Sequence, residues 1–364
     1  MSVRGHAFAL LTFASVFALP LSATFAAAQN QATAQQQKVV IESDGTVQEP
    51  ARPVPLSTFL SPEARAYLIE HLNAMQAPPP RQPNPGNGVP GFMKHYLDRD
   101  FELFALDRKD EKIGGVHVYV YTPQSGIAEK NKGRVLINLH GGGFSGCWPG
   151  CAQLESMPIS ALMGIKVISV DYREGPEYKF PAASEDVAKV YKELLATYKP
   201  GNIGIYGCSA GGMLTAMSLA WFQTHDLPAP GADGIFCASA GSFGGDANYI
   251  AFPLGEARIP SAPPGQNQLG YFSNANMNDP LVAPANSPEV LAKFPPTLLI
   301  TATRDFAMSG AINTDVLLTK AGVDSELHVW DGLFHGFFYN ADVPESRDAF
   351  NIMIKFFDSH LGKD

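Results

Sequence analysis

No basic block occurs anywhere along this 364-residue chain: 26 lysines and arginines stand against 35 acids, for a formal charge of −9. Nucleic-acid binding therefore lacks its electrostatic footprint. The acidic balance gives no general attraction for anions either. Beyond the first residues, no later transmembrane helix is expected. No internal repeat is found, which argues against a repeat array. Cysteine is scarce, at four residues. Cys147 and Cys151, four apart, are placed either to close a small loop or to stay as two buried thiols. Cys208 and Cys237 fall near the ends of what should be neighbouring strands, and their pairing is left open.

What is present begins with an export signal. Arg4 and His6 give a short polar start, residues 7–19 are apolar apart from Thr12 and Ser15, Pro20 breaks the run, and Ala26, Ala27 and Ala28 offer small residues for cleavage. Residues 1–28 are thus expected to be removed, leaving no stable membrane span and a protein in the periplasm or outside the cell. Export puts the cysteines in an oxidising setting. Residues 29–50 start polar and repetitive and are expected to form a disordered leader. A helix is expected within 51–76, opened by Ser61, Pro62 and Glu63. Residues 77–91, rich in proline and glycine, are expected to be irregular.

From there strand and helix alternate. Short, nearly continuous apolar runs at 135–139, 167–170, 203–206, 235–238, 297–301 and 327–330 read as strands, and 116–121 alternates like one. Helical spacing is found at 184–198, 212–222, 309–321 and 345–361. Such a pattern predicts an α/β fold with a mostly parallel sheet and helices on both faces. Ligands in these sheets bind at the carboxyl ends of the strands. Every chemically suggestive residue sits just after a predicted strand.

Four segments carry the chemistry. Ser209 lies between glycines in Gly207-Cys208-Ser209-Ala210-Gly211, at a strand-to-helix turn of the kind that thrusts a nucleophile above a sheet. His140-Gly141-Gly142-Gly143-Phe144 follows a strand, and its glycines can present bare backbone N–H groups. Gly142 and Gly143, with Ala210, are the expected oxyanion donors. Asp305 and His335 each follow a later strand, giving the order Ser–Asp–His. Serine needs a neutral imidazole to take its proton and a carboxylate to orient that imidazole. His225, His328 and His360 lack a comparable setting. Asp331 is close in sequence to His335, Asp279 reads as part of a turn, and Arg304 is a structural partner available to Asp305. Phe144, Trp148, Tyr172, Phe334 and Phe338 lie near these motifs and are expected to wall a modest apolar pocket, although each alone is equally a packing residue.

Taken together, the His140–Phe144 run, Asp171-Tyr172-Arg173, Pro176-Glu177, Phe180-Pro181-Ala182-Ala183, the Gly207–Gly212 run, Asp279-Pro280-Leu281-Val282, Asp305 and His335-Gly336-Phe337 resemble the hormone-sensitive-lipase-like family of α/β-hydrolase carboxylesterases. The resemblance covers roughly 95–361. It implies an α/β-hydrolase domain at 96–364 beneath a small helical cap formed by 51–95, with 241–295 adding to it. The chain departs from the family where Cys208 replaces the usual Asp or Thr, at Glu174-Gly175, and around the acid, where Asp305-Phe306-Ala307-Met308 stands. The Cys208 change removes the polar contact made at that position.

The expected activity is hydrolysis of a short-acyl or aryl ester through an acyl-enzyme, on a small-molecule substrate, with no cofactor and no metal. An acyltransferase with the same serine, or a non-catalytic binding protein on the same fold, are the rivals. Sequence gives no oligomeric state.

Overall fold

A computed structural model describes residues 39–76, 88–259 and 270–363. The chain divides into two compact units, 1–55 and 56–364. The expected export signal at 1–28 lies outside the described residues. In the first unit the described part of the expected leader is not wholly irregular: Val40–Ile41 pairs antiparallel with Val47–Gln48.

The second unit is built on eight strands: β1 Leu106–Ile113, β2 Val116–Pro123, β3 Val135–Leu139, β4 Lys166–Val170, β5 Ile203–Cys208, β6 Ala232–Phe236, β7 Thr297–Arg304 and β8 Ser325–Phe334. Their order across the sheet is β8-β7-β6-β5-β3-β4-β2-β1. Pairing is parallel from β8 through β4, and antiparallel for β4–β2 and β2–β1. This is the expected mostly parallel sheet.

The helices are α1 Pro62–Gln76, α2 Lys94–Leu103, α3 Gly150–Met163, α4 Ala182–Leu194, α5 Ala210–Gln223, α6 Ala247–Glu256, α7 Met308–Lys320 and α8 Pro344–His360. Because side chains alternate along a strand, each central strand feeds two cores. Tyr206 and Cys208 of β5 join Leu154, Met157, Phe350 and Met353 from α3 and α8 on one face. Ile203 and Ile205 join Val187, Leu214 and Leu318 from α4, α5 and α7 on the other. Strands wetted on neither face therefore read as unbroken apolar runs.

Two elements depart from expectation. The residues after the glycine run form helix α3, with Pro158 inside it and Cys151 in its first turn. Its periodicity is hidden because nearly all of it is buried, leaving no polar face to mark. β1 reads Leu-Asp-Arg-Lys-Asp-Glu-Lys-Ile and is exposed over its six middle residues, as befits a charged edge strand.

Helix α1 begins where expected. The Ser61 hydroxyl oxygen accepts the Ala64 N–H at 3.0 Å and its O–H donates to Glu345 at 2.8 Å. Farther along, His71 stacks on Phe334 at 3.6 Å and bonds the Gly255 carbonyl at 2.9 Å. Burial pushes His71 down to about 4, so this docking contact is made by a neutral ring.

Backbone approaches backbone most tightly where β3 meets the β5–α5 turn. A β-carbon at Gly211 would stand 1.7 Å from the Leu139 carbonyl oxygen, and one at Gly207 would stand 2.2 Å from the same atom. Gly211→Ala is expected to cost about 3 kcal/mol by overpacking a rigid backbone contact. A urea unfolding midpoint will read the loss.

Candidate active site

β5 is buried throughout and ends at Cys208. Ser209 follows with φ 56° and ψ −119°, and α5 starts at Ala210. A positive φ on a residue with a β-carbon is costly and tends to be kept where it aims a side chain. Ser209 is held there by its N–H, which donates to the Phe236 carbonyl at 2.8 Å, and by the Met213 N–H, which donates to its carbonyl at 3.0 Å. It remains partly exposed while both neighbours are buried. The Ala210 amide opens α5 and belongs to the first turn, whose donors have no intrahelical acceptor.

One strand over, β3 ends at Leu139 and the glycine run begins. Gly142 has φ 124°, and a β-carbon there would meet the Gly146 carbonyl oxygen at 2.0 Å, so only glycine fits. The His140 ring stacks on Tyr172 at 4.4 Å, and the Tyr172 hydroxyl donates to the His140 carbonyl at 2.6 Å. Burial pushes His140 down to about 4, so this histidine is a neutral packing group. Just beyond, Cys147 and Cys151 form a disulfide, while Cys208 and Cys237 are buried free thiols.

On the other side of β5, the adjacent strands β7 and β8 end in the acid and the histidine. His335 Nδ1 lies 2.8 Å from Asp305 Oδ1. Asp305 is fully buried and accepts two more hydrogen bonds, from the Ala307 N–H at 2.8 Å and the Thr301 hydroxyl at 2.8 Å. Burial alone would raise the Asp305 carboxyl, but the imidazole and these donors outweigh it and hold it below the usual carboxylate value. Burial likewise opposes protonation of His335, and Asp305 outweighs it, so the imidazole stands above its ordinary 6.5. β6, between β5 and β7, closes the arrangement. The Cys237 N–H donates to the Ile300 carbonyl at 2.7 Å, and Cys237 Sγ accepts the Gly336 N–H at 3.3 Å.

The competing residues are occupied elsewhere. Asp331 accepts hydrogen bonds from the hydroxyls of Ser57 and Thr303. Asp279 closes a turn through the Leu281 N–H at 2.9 Å. His225 Nδ1 lies 2.9 Å from the Trp221 carbonyl, and His328 and His360 face Glu326 and Asp324. Among the described residues, Cys237, Asp305 and His335 bring one ligand-type atom each within 4.8 Å of one another. Two of the three are already paired to each other, and burial pushes the Cys237 thiol well above its usual value.

The aromatic expectation needs correction. Phe144, Tyr172, Phe334 and Phe338 are all 3% exposed or less and pack in the core. Phe144 stacks on Tyr271, Phe334 lies under α1 against Tyr67 and His71, and Phe338 packs on Phe236 and Phe350. Trp148 is partly exposed and packs on His117, Tyr119 and His140. The ring that meets the histidine is Phe306, stacked on His335 at 4.2 Å with Phe243 and Phe252 against its other sides. Its place next to Asp305 in sequence was the available signal. Glu155, buried in α3, was also missed. An acid inside an otherwise buried helix is its signature, but the helix itself was not apparent.

The Asp305–His335 pair makes a direct prediction. In an NMR titration the His335 imidazole is expected to protonate above 6.5. In Asp305→Asn the main opposition to burial is lost, with only Glu256 and Glu155 left to favour the charged ring, and the midpoint is expected to fall relative to the wild type.

Comparison with known proteins agrees with this geometry. The family model of the alpha/beta hydrolase fold matches residues 136–339. An acetyl-hydrolase of Streptomyces hygroscopicus is 27% identical over 269 residues, spanning 71% of this chain and 89% of that protein. The crystal structure of an esterase, E25, superposes with a TM-score of 0.73 at 26% identity, over 86% of this chain and 98% of the other. An esterase from the bacterial hormone-sensitive lipase family shares the fold at a TM-score of 0.68 and 23% identity, over 83% and 99% of the two chains. With the glycine run, the serine turn and the Asp–His pair at the carboxyl ends of neighbouring strands, the chain belongs to the α/β-hydrolase fold family and is a carboxylic ester hydrolase.

Proposed function

We propose that the protein is a serine carboxylesterase that cleaves short-acyl or aryl esters through an acyl-enzyme. The observation that carries this reading is the buried Asp305–His335 hydrogen bond at 2.8 Å, two strands from a serine held at positive φ. Ser209 attacks the ester carbonyl while His335 Nε2 takes its proton. Asp305 fixes the tautomer, because Nδ1 must carry the hydrogen that the carboxylate accepts. The N–H groups of Gly142, Gly143 and Ala210 hold the oxyanion. His335 then protonates the leaving alcohol, and a water repeats the sequence to release the acid.

His335 serves as base only when neutral. Because Asp305 raises its affinity for protons, kcat/KM falls on the acid side with a midpoint above 6.5. The short-chain preference is supported by the aromatic ring of Phe306 against the imidazole, and by relatives described as acetyl-hydrolase and esterase. Export is part of the proposal. Its support is the N-terminal sequence and the Cys147–Cys151 disulfide, which suits an oxidising compartment. Among the described residues no helix is long and apolar enough to cross a membrane.

Ser209→Ala is expected to lower turnover of p-nitrophenyl acetate by about 10⁴-fold or more. A fluorophosphonate probe should label the wild type once, on Ser209. Near-normal turnover in the variant, or an unlabelled wild type, would sink the assignment. Across a p-nitrophenyl ester series, kcat/KM is expected to peak at short acyl chains; a peak at long chains would overturn the substrate class.

A further inference from the structure

The position before the serine is Cys208, a thiol that cannot supply a carboxylate's contacts. A carboxylate from a different element lies beside this turn. Glu155, on α3, is 2% exposed. Its Oε1 accepts the Gly141 N–H at 2.8 Å and the Tyr339 hydroxyl at 2.8 Å. Its Oε2 accepts the Asn138 side-chain amide at 2.9 Å. The backbone of Cys208 lies against the same cluster and favours the charged carboxylate. The Glu155 carbonyl meanwhile accepts the Tyr206 hydroxyl at 3.0 Å.

These partners belong to the three segments that carry the chemistry. Asn138 and Gly141 lead into the glycine run. Cys208 precedes the nucleophile. Tyr339 lies four residues past His335, on the same loop. The fit is close on every side: a β-carbon at Gly141 would lie 3.2 Å from the Cys208 carbonyl oxygen, 3.2 Å from the Tyr339 hydroxyl and 3.3 Å from Glu155 Oε1. Burying an acid costs free energy unless donors offset it, and here donors from two segments converge on one group beside the backbone of the third.

We propose that Glu155 is a positioning residue for ester hydrolysis, a buried carboxylate that holds the oxyanion loop, the nucleophile turn and the histidine loop in mutual register. It touches no substrate and acts through the backbone of Gly141 and the hydroxyl of Tyr339. The proposal rests on the serine-esterase reading. Burial lifts the Glu155 carboxyl to about 7 against the pull of its donors. Its folded-state proton affinity is thus raised, so as pH climbs from 4.5 through 7 its ionisation favours the unfolded chain.

The test uses full-length Glu155→Gln, with Tyr339→Phe as a variant that removes one tie from the opposite side. The introduced glutamine would set an NH₂ group against one of the donors and loosen the loop. Displacements near an ångström at such a centre cost about 100-fold in rate, so kcat for p-nitrophenyl acetate is expected to fall about 30- to 100-fold, with KM within about threefold. Tyr339→Phe is expected to lose about 3- to 10-fold. Inhibition by an alkylboronic acid, whose adduct places an oxyanion in the hole, should weaken in step with kcat. At pH 8 the thermal midpoint of Glu155→Gln is expected to match or exceed that of the wild type. Unchanged kcat and boronate affinity in a folded Glu155→Gln would overturn the proposal. If Glu155→Gln does not fold, unchanged kcat and boronate affinity in Tyr339→Phe would do so. Fluorophosphonate labelling of the wild type separates the two failures: an unlabelled Ser209 refutes the esterase mechanism, whereas a labelled Ser209 with an indifferent Glu155 refutes only the positioning role.

Discussion

The carbonyl oxygen of Leu139 lies so near the backbone of Gly207 and Gly211 that a β-carbon at either position would overlap it. This contact joins the end of β3 to the turn between β5 and α5, and therefore joins the glycine run to the serine. Backbone set against backbone has no rotamer to relax into, so the two motifs move together or not at all. Parallel pairing of Leu139 with Gly207 fixes the same register from the strand side. The glycine run and Ser209 are thus related by main-chain geometry, and side chains need only bring His335 and Asp305 to that fixed frame. β7 and β8 do so from across β6, each ending its strand where the chain must turn.

Two buried carboxylates serve the frame and titrate in opposite directions. Asp305 faces an imidazole as well as hydrogen-bond donors, and it is held below the usual carboxylate range. Glu155 faces neutral donors only, and burial wins, lifting it to about 7. For Asp305 the contribution to stability is present above 3.8 and is lost as pH falls through its lower folded value. For His335 the contribution is complete below 6.5 and is lost as pH rises through its higher folded value. A neutral His335 therefore exists in the range where the pair helps folding least. The fold must hold the site by packing and hydrogen bonds when the ion pair is absent, and the donors from Thr301 and Ala307 to Asp305 persist whatever the state of the imidazole.

Much of this was legible in the sequence, for definite reasons. β3 and β5–β7 are fully or largely buried runs that mark themselves by composition, the partly exposed β8 follows them in the same alternation with helices, and the glycines mark places where backbone must approach backbone. Ser209, Asp305 and His335 follow those strands, so topology alone brings them to one edge of the sheet. The remainder was hidden where burial or exposure erases periodicity. α3 is buried nearly all round and β1 is exposed on both faces, so neither shows the alternation that its type would give. The aromatics failed for another reason. Proximity to a motif in sequence says nothing of which side of the backbone a ring takes, and Phe144, Tyr172, Phe334 and Phe338 all turn inward.

Phe306 shows the same point from the other direction. It occupies the position after the acid, where the chain has just left β7 and one residue changes side from core to cleft. Asp305 is buried to fix the imidazole, so the next side chain is directed away from the core and onto the ring that Asp305 holds. Stacked face to face at 4.2 Å, Phe306 limits rotation of the imidazole out of the plane that Asp305 sets. Phe243 and Phe252 in turn limit Phe306, and both come from the segment that carries α6. One ring therefore limits the imidazole from the side that Asp305 leaves open, so a substitution at Phe306 alters the freedom of His335.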